Sequence, residues 1–396
     1  MRFGRVIVRY RQGMTVTSLR HPSPRAIGVT AVALSLALVG AAALLLRPTP
    51  SAPPVVAVVN PTPTPSPTPS PTPTPAPTPT PTPSPTFAPL LDGVADLTGA
   101  RVPDALAHRL PIAVLIDDNR IARPQSGFNG ASIVYQAPAD GGETRYMFVY
   151  QESDSKDIGP VRSGRIYFLH WASEIRAAIG HYGGDKISRD YLRAHDKVQF
   201  TNVDALGAGA RAYHRIKTRN APHNGYTYTK KLRAMALKLG GPATLGPEFF
   251  RRPFVDASPL AKRAASERVR VPYRTGVIDY RYDRPTNRYL RSVDGHVQID
   301  PADGRRVTTT NVVVLFQAFH TDSTIEVGHA RPVIGDIGQG TAWVFREGRI
   351  VKGTWRKADA LATTRLYDAA GVEIPLVRGR TFFQIVPEGT KVRVSS

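Results

Sequence analysis

Residues 111–117 read PIAVLID, residues 132–137 read SIVYQA and residues 145–151 read RYMFVYQ. The first is a short apolar run closed by acids, the pattern of a strand covered on both faces. The other two carry the β-branched and aromatic residues that pack well on a pleated sheet. Working outward, Ile166, Leu169, His170 and Ile175 fall at helical spacing across 166–178, with Ser163 ahead of them as a candidate N-cap. Ala178–Tyr182 reads as a strand ending at Gly183–Gly184, and Tyr228–Leu239 as a basic amphipathic helix stopped by Gly240–Gly241. From Arg268 onward the signals are mainly β. Asn311–Phe316 is an apolar strand, and Ala342–Arg346 with Arg349–Trp355 forms a hairpin around Glu347–Gly348. Residues 376–386 and 391–394 complete a strand-rich end, and 242–267 reads as a connection. The expected class is α+β: an α/β half over 97–245 and a β-rich half over 246–396, preceded by one transmembrane helix and a polyproline stalk.

The helix and stalk are read from the N-terminus. Residues 1–25 hold six arginines and no acid, and residues 26–46 carry no charge. Twenty-one residues at about 1.5 Å each cover roughly 30 Å, the hydrocarbon thickness of a bilayer. The basic flank belongs on the cytoplasmic side, which sends everything after Arg47 outside. The expected location is therefore the cell membrane, single-pass, with the main domain extracytoplasmic. A cleaved secretory signal is the rival reading, with Ala41–Ala43 as its small residues. Residues 47–96 form a Pro/Thr-rich stretch, and from Pro61 to Pro85 every second residue is proline. Proline removes an amide donor and fixes φ, so this segment is expected as a polyproline II spacer, on the order of 100 Å long.

The chain has 396 residues, a net charge of +21 and no cysteine. The missing cysteine excludes a disulfide scaffold, a cysteine nucleophile, an iron–sulfur centre and an N-terminal lipid-modified cysteine. Removing the seven arginines through Arg47 leaves a net charge of +14. An exported basic domain meets anionic wall polymers or lipid phosphates rather than nucleic acid, which is not expected as a partner.

Five polar clusters stand beside strand ends and glycines. Asp117, Asp118 and Asn119 follow the first strand, with Arg123 and Gln125 close behind. Paired carboxylates there suit acid–base work or a divalent cation, and also fit an Asx turn with a surface ion pair. Gly141, Gly142 and Arg145 make a second cluster, and Arg162, Ser163 and Arg165 a third at a helix start, where arginine forks and backbone amides suit phosphate. His181 with Gly183–Gly184, and His223 with Asn224, complete the set. HExxH, GxSxG and Walker patterns are absent, so no cofactor is evident and the metal stays open.

Taken together, IAVLIDDNRIARPQSGFNGASIVYQAPADGGETRYMFVYQ, DIGPVRSGRIYFLHWA, HYGGD and RNAPHNGYTY resemble the YerB-like family of bacterial surface proteins, whose function is unknown. TTTNVVVLF and GQGTAWVFREGRIVKGTWRK resemble the family's second, β-rich part, so the resemblance spans roughly residues 100–390. It implies a surface location and a two-part fold but no reaction. The family pattern often has glutamate where Gln136 and Ala139 stand here.

Three functions follow. A binding module would hold an anionic envelope ligand through Arg123, Arg145, Arg162 and Arg165, with the Gly141–Gly142 and Gly183–Gly184 amides assisting. An envelope phosphotransferase or hydrolase would use Asp117 or Asp118 with His181 or His223. A surface interaction module would use Trp343 and Trp355, although core packing explains both tryptophans.

Overall fold

The computed structural model describes residues 90–246 and 251–396. The basic segment, the apolar run 26–46 and the Pro/Thr-rich stretch through residue 89 lie outside the described residues. Among the described residues, no helix is long and apolar enough to cross a membrane.

The longer strands of the first half are β1 (Ile112–Asp117), β2 (Ile133–Pro138), β3 (Thr144–Tyr150), β4 (Ala178–His181) and β5 (Thr201–Asp204). The second supplies β6 (Arg268–Tyr273), β7 (Gly276–Asp283), β8 (Arg288–Val293), β9 (Asn311–Gln317), β10 (Gly338–Arg346), β11 (Arg349–Lys357), β12 (Arg365–Asp368), β13 (Thr381–Pro387) and β14 (Arg393–Ser395). One ten-stranded sheet runs β12-β11-β10-β9-β13-β2-β3-β1-β4-β5. Both halves therefore share it. The seam is β13, parallel to β2 on one side and to β9 on the other. A second sheet, with β8-β7-β6-β14 along its path, packs against the first.

Every residue of β1, β2 and β3 is buried. Their period of two feeds two cores. Ala113 and Leu115 join Phe168 and Trp171 of helix α1 (Ile166–Ser173) and Leu192 of α2 (Lys186–His195). Ile112, Val114 and Ile116 join Leu232 and Ala236 of α3 (Thr229–Lys238), together with Val269 and Val271 of β6. The sheet is thus covered on both faces, which is why β1 is an unbroken apolar run.

The structure is mixed, with a strand-rich second half, in keeping with α+β. It differs from the sequence reading in detail. Helix α1 is shorter than 166–178, and Ser163 does not cap it; the N-cap position is Arg165, with no side-chain bond. The amides of Arg162 and Gly164 are held by the carbonyls of Leu115 and Gly183, so the chain stays extended there and the helix starts later. Helix α2, capped by Asp185 on the amide of Ser188 at 2.8 Å, and strand β5 are additional elements. The hairpin β10–β11 turns at Glu347 and Gly348 with φ of 55° and 69°, the two left-handed positions its tight turn requires. Residues 376–386 are not one strand. Leu376–Val377 pairs with Phe254–Val255, and the chain breaks before β13 at Gly379, φ 134°. Trp355 is buried and donates to the Phe316 carbonyl at 3.0 Å, whereas Trp343 is partly buried with Lys352 over its ring.

A buried ionic cluster ties the halves further. Glu174, just past α1, accepts from Arg252 (2.7 Å), Lys357 (3.0 Å), Tyr135 (3.1 Å), and the amide and hydroxyl of Thr364 (3.0 and 2.8 Å).

Candidate functional site

Strand β1 delivers Asp117 to the sheet's end with its side chain only 3% exposed. Its Oδ1 accepts the Asn119 amide at 3.0 Å. Its Oδ2 lies 2.6 Å from His223 Nδ1 and 3.1 Å from Arg162 Nε. A carboxylate only accepts, so His223 donates its Nδ1 proton, and a neutral ring then keeps Nε2 as the acceptor. Asn119 Nδ2 donates to Glu143 Oε1 at 2.5 Å, bringing a second carboxyl beside the pair. Burial first, and then the charge on Asp117, raise the Glu143 pKa, with Arg145, Arg162 and His223 partly opposing.

Asp118 has a different role. It is fully buried, and four side chains converge on it. Oδ1 accepts from Arg123 Nε (3.0 Å) and Gln125 Nε2 (2.8 Å), and Oδ2 from Gln136 Nε2 (3.1 Å) and the Thr144 hydroxyl. Gln136 Oε1 in turn accepts from Arg291 Nη2 at 3.0 Å. Arg291 is itself buried and bonds the hydroxyls of Tyr146 and Tyr280. The amide of Gln136 therefore bridges an anion and a cation. Ala139 is buried and carries no polar side-chain atom here. A cavity of about 510 Å³ opens beside this network, against Arg123, Gln125, Tyr146, Val297 and Ile299.

The remaining arginines are spent on Asp140. Arg145 Nη2 and Arg331 Nη1 each reach it at 2.8 Å, and Arg165 bonds it as well. Burial alone raises the Asp140 pKa, but the surrounding guanidinium groups outweigh it and hold the carboxyl at about 2. Burial, then the charge of Arg165, bring Arg145 down to about 10. Arg145 also donates to the Ser163 carbonyl at 2.8 Å, and Arg165 Nη1 lies 3.3 Å from the Ser163 hydroxyl. Gly141 and Gly142, φ 65° and 76°, make the tight turn after Asp140, and a Cβ at Gly142 would strike the Arg274 side chain at 2.6 Å.

His181 is enclosed. Nδ1 lies 2.9 Å from the Gly183 carbonyl and Nε2 2.7 Å from Asn202 Oδ1. The Gly183 amide is taken by Asp204 at 3.1 Å, and the Gly184 carbonyl accepts from Arg189. Asn224 Oδ1 accepts from Arg215 at 2.6 Å and shapes the loop that carries His223. The structure thus brings together Asp117, Asn119, Arg162 and His223. It sets Asp118, Arg123 and Gln125 in a neighbouring buried network, and commits Arg145 and Arg165 to Asp140. Among the described residues, no three His, Cys, Asp or Glu side chains are arranged to hold a metal ion. Glu143, Arg291 and Arg331 are additions. Glu143 was visible only as the acid after Gly141–Gly142; the two arginines come from distant strands without a local signal.

Residues 97–241 match the N-terminal domain, and residues 269–383 the C-terminal domain, of the family described as protein of unknown function (DUF3048), and the chain belongs to that family. It is 28% identical over 301 residues to "Putative lipoprotein YerB" of Bacillus subtilis (strain 168), covering 74% of this chain and 86% of that protein. The crystal structure of the Bacillus subtilis YerB protein is similar with a TM-score of 0.67 at 26% identity, over 76% of this chain and 99% of that one.

Proposed function

We propose that the folded part acts outside the membrane on an anionic cell-envelope ligand, with Asp117 and His223 as an acid–base pair. The observation that carries this is the 2.6 Å contact between His223 Nδ1 and Asp117 Oδ2, made by residues 106 apart in sequence. His223 Nε2 takes the proton of an attacking water or hydroxyl, and Asp117 stabilises the imidazolium that results. Glu143, kept protonated to higher pH than an ordinary glutamate, returns a proton to the leaving oxygen. Arg162, 28% exposed, faces charge that develops beside Asp117. The substrate class is a phosphorylated or glycosidic envelope component. The reading needs no cation: the carboxylates of Asp117 and Asp118 are already engaged by protein donors.

Localisation belongs to the same reading. The apolar run 26–46 between arginines supports a single-pass anchor with a cytoplasmic N-terminus, and the Pro/Thr repeat a spacer. The lipoprotein description of the Bacillus relative supports a membrane-associated, extracytoplasmic place. Binding without turnover is the second reading. It is favoured by Arg162, the most exposed of the four arginines singled out by sequence.

The test is turnover by the full chain of chromogenic phosphodiesters and glycosides and of isolated wall polymer. His223→Gln and Asp117→Asn should each lower the rate about 10²–10⁴-fold. No turnover by the parent, or equal turnover by parent and variants, refutes the acid–base reading. Retained polymer binding that Arg162→Ala abolishes would then favour the second.

A further inference from the structure

The arginines nearest the acid–base pair are each ion-paired, to Asp117, Asp118 or Asp140, so cations without a carboxylate partner are to be sought elsewhere. One place where it gathers is a separate cavity of about 550 Å³ at the start of α3. Its walls include Arg109, Lys156, Lys230 and Arg233, against one carboxylate, Asp154. Lys156 and Lys230 are exposed and have no acidic partner among the described residues. Arg109 and Arg233 are held in place. Arg109 Nε donates to the Gln151 carbonyl at 2.9 Å and Nη1 to Asp154 at 3.0 Å. Arg233 Nη2 donates to the same Gln151 carbonyl at 3.0 Å, and Nη1 to that of Leu110. Two guanidinium groups on one carbonyl are crowded; burial, then Arg109, bring Arg233 down to about 10. Arg109 Nη2 is buried with no hydrogen-bond partner. The amide of Thr229 is already taken by the Ser155 carbonyl at 3.1 Å, so the cations rather than the helix end carry the argument.

We infer that this cavity binds a phosphate or phosphodiester group. Two unpaired lysines and a surplus of three positive charges, with the two arginines fixed behind them as a positive wall, suit a diffuse oxyanion. Tyr228 adds an aromatic wall for the polyol or sugar that such a group carries. The cavity is joined to the acid–base pair by two antiparallel segments. One runs from Lys156 to Arg162 and the other from His223 to Tyr228, bonded at Ile158 with Thr227 and at Val161 with Gly225. Six extended residues cover on the order of 20 Å, a span suited to a polymer with several phosphates. That the phosphate comes from the envelope rests on the extracytoplasmic reading above; the phosphate chemistry itself does not.

Equilibrium titration of the full chain tests this without any need for turnover. The probes are inorganic phosphate, a soluble polyglycerol phosphate and the deacylated headgroup of phosphatidylglycerol. The parent should bind at least one, more weakly as salt rises. Lys156→Glu with Lys230→Glu turns the surplus of three into a deficit of one and should weaken binding at least about tenfold. Asp117→Asn should bind inorganic phosphate, which is too small to reach the acid–base pair from this cavity, as the parent does, and this separates the two sites. Preference for the polymer identifies a wall polyphosphate, and preference for the headgroup a lipid; either supports the site. Equal binding by the parent and the double lysine variant, or no binding of any probe, overturns it.

Discussion

Glu174→Gln removes one charge from the buried cluster while keeping its shape. Glu174 and Lys357 have fully buried side chains and Arg252 is 7% exposed, so water replaces little of what is lost. Five donors converge on the carboxylate, and after substitution two buried cations face a neutral amide. Losing one partner of a buried ion pair costs about 3–5 kcal/mol. The carboxyl itself gives an independent figure. Burial raises its pKa, but Lys357, then Arg252, bring it from 4.5 down to about 2. A fall of that size corresponds to roughly 3 kcal/mol. Because the folded pKa lies below the unfolded one, this stability is fully present above pH 4.5 and is lost as the pH falls through about 2. Urea unfolding of the full chain at several pH values is the assay. The variant should be about 3–5 kcal/mol less stable at pH 7, with the gap closing below pH 4.5. Adding Lys357→Met should recover part of the loss, since it withdraws one stranded cation. A gap under about 1 kcal/mol at pH 7, or one that does not change with pH, would refute the reasoning.

Gln136→Glu replaces the amide that donates to Asp118 with a carboxyl. Two carboxylates in one buried site push one pKa upward, so the variant should match the parent at low pH and lose about 1–3 kcal/mol as its new group ionises; a constant difference from pH 5 to 8 in thermal unfolding would disprove this. Gly353→Ala puts a Cβ 1.8 Å from the Tyr367 carbonyl oxygen, a backbone atom of the adjoining strand β12. The β11–β12 edge must shift, at a cost of about 1–3 kcal/mol, and amide exchange in 365–368 should rise; unchanged exchange there would disprove it.

Much of the first half was legible in sequence because its elements are local. The apolar run at β1 and the tyrosine- and valine-rich β2 and β3 are long, periodic and bounded by acids or glycines. The turn at Glu347–Gly348 was legible for the same reason. The start of α1 was not, because the sheet holds the backbone of 162–164 extended past Ser163. Among the candidate site residues, residue type picked out Asp117 and His223 but gave no reason to pair them rather than Asp118 and His181. The chain brings Asp117 and His223 together through a loop more than a hundred residues away, while Asp118 is enclosed by four donors and His181 by two carbonyl oxygens.

What the sequence determined by itself was the uncharged run over 26–46, the proline repeat, the absence of cysteine and the strands whose pattern is periodic within a few residues. Only the tertiary structure decided that β13 closes both halves into one sheet, which carboxylates are saturated, and where positive charge stays unbalanced. The physical reason is range. Periodicity and turn chemistry act over a handful of residues, whereas a charge is paired or free according to neighbours that folding brings from anywhere in the chain.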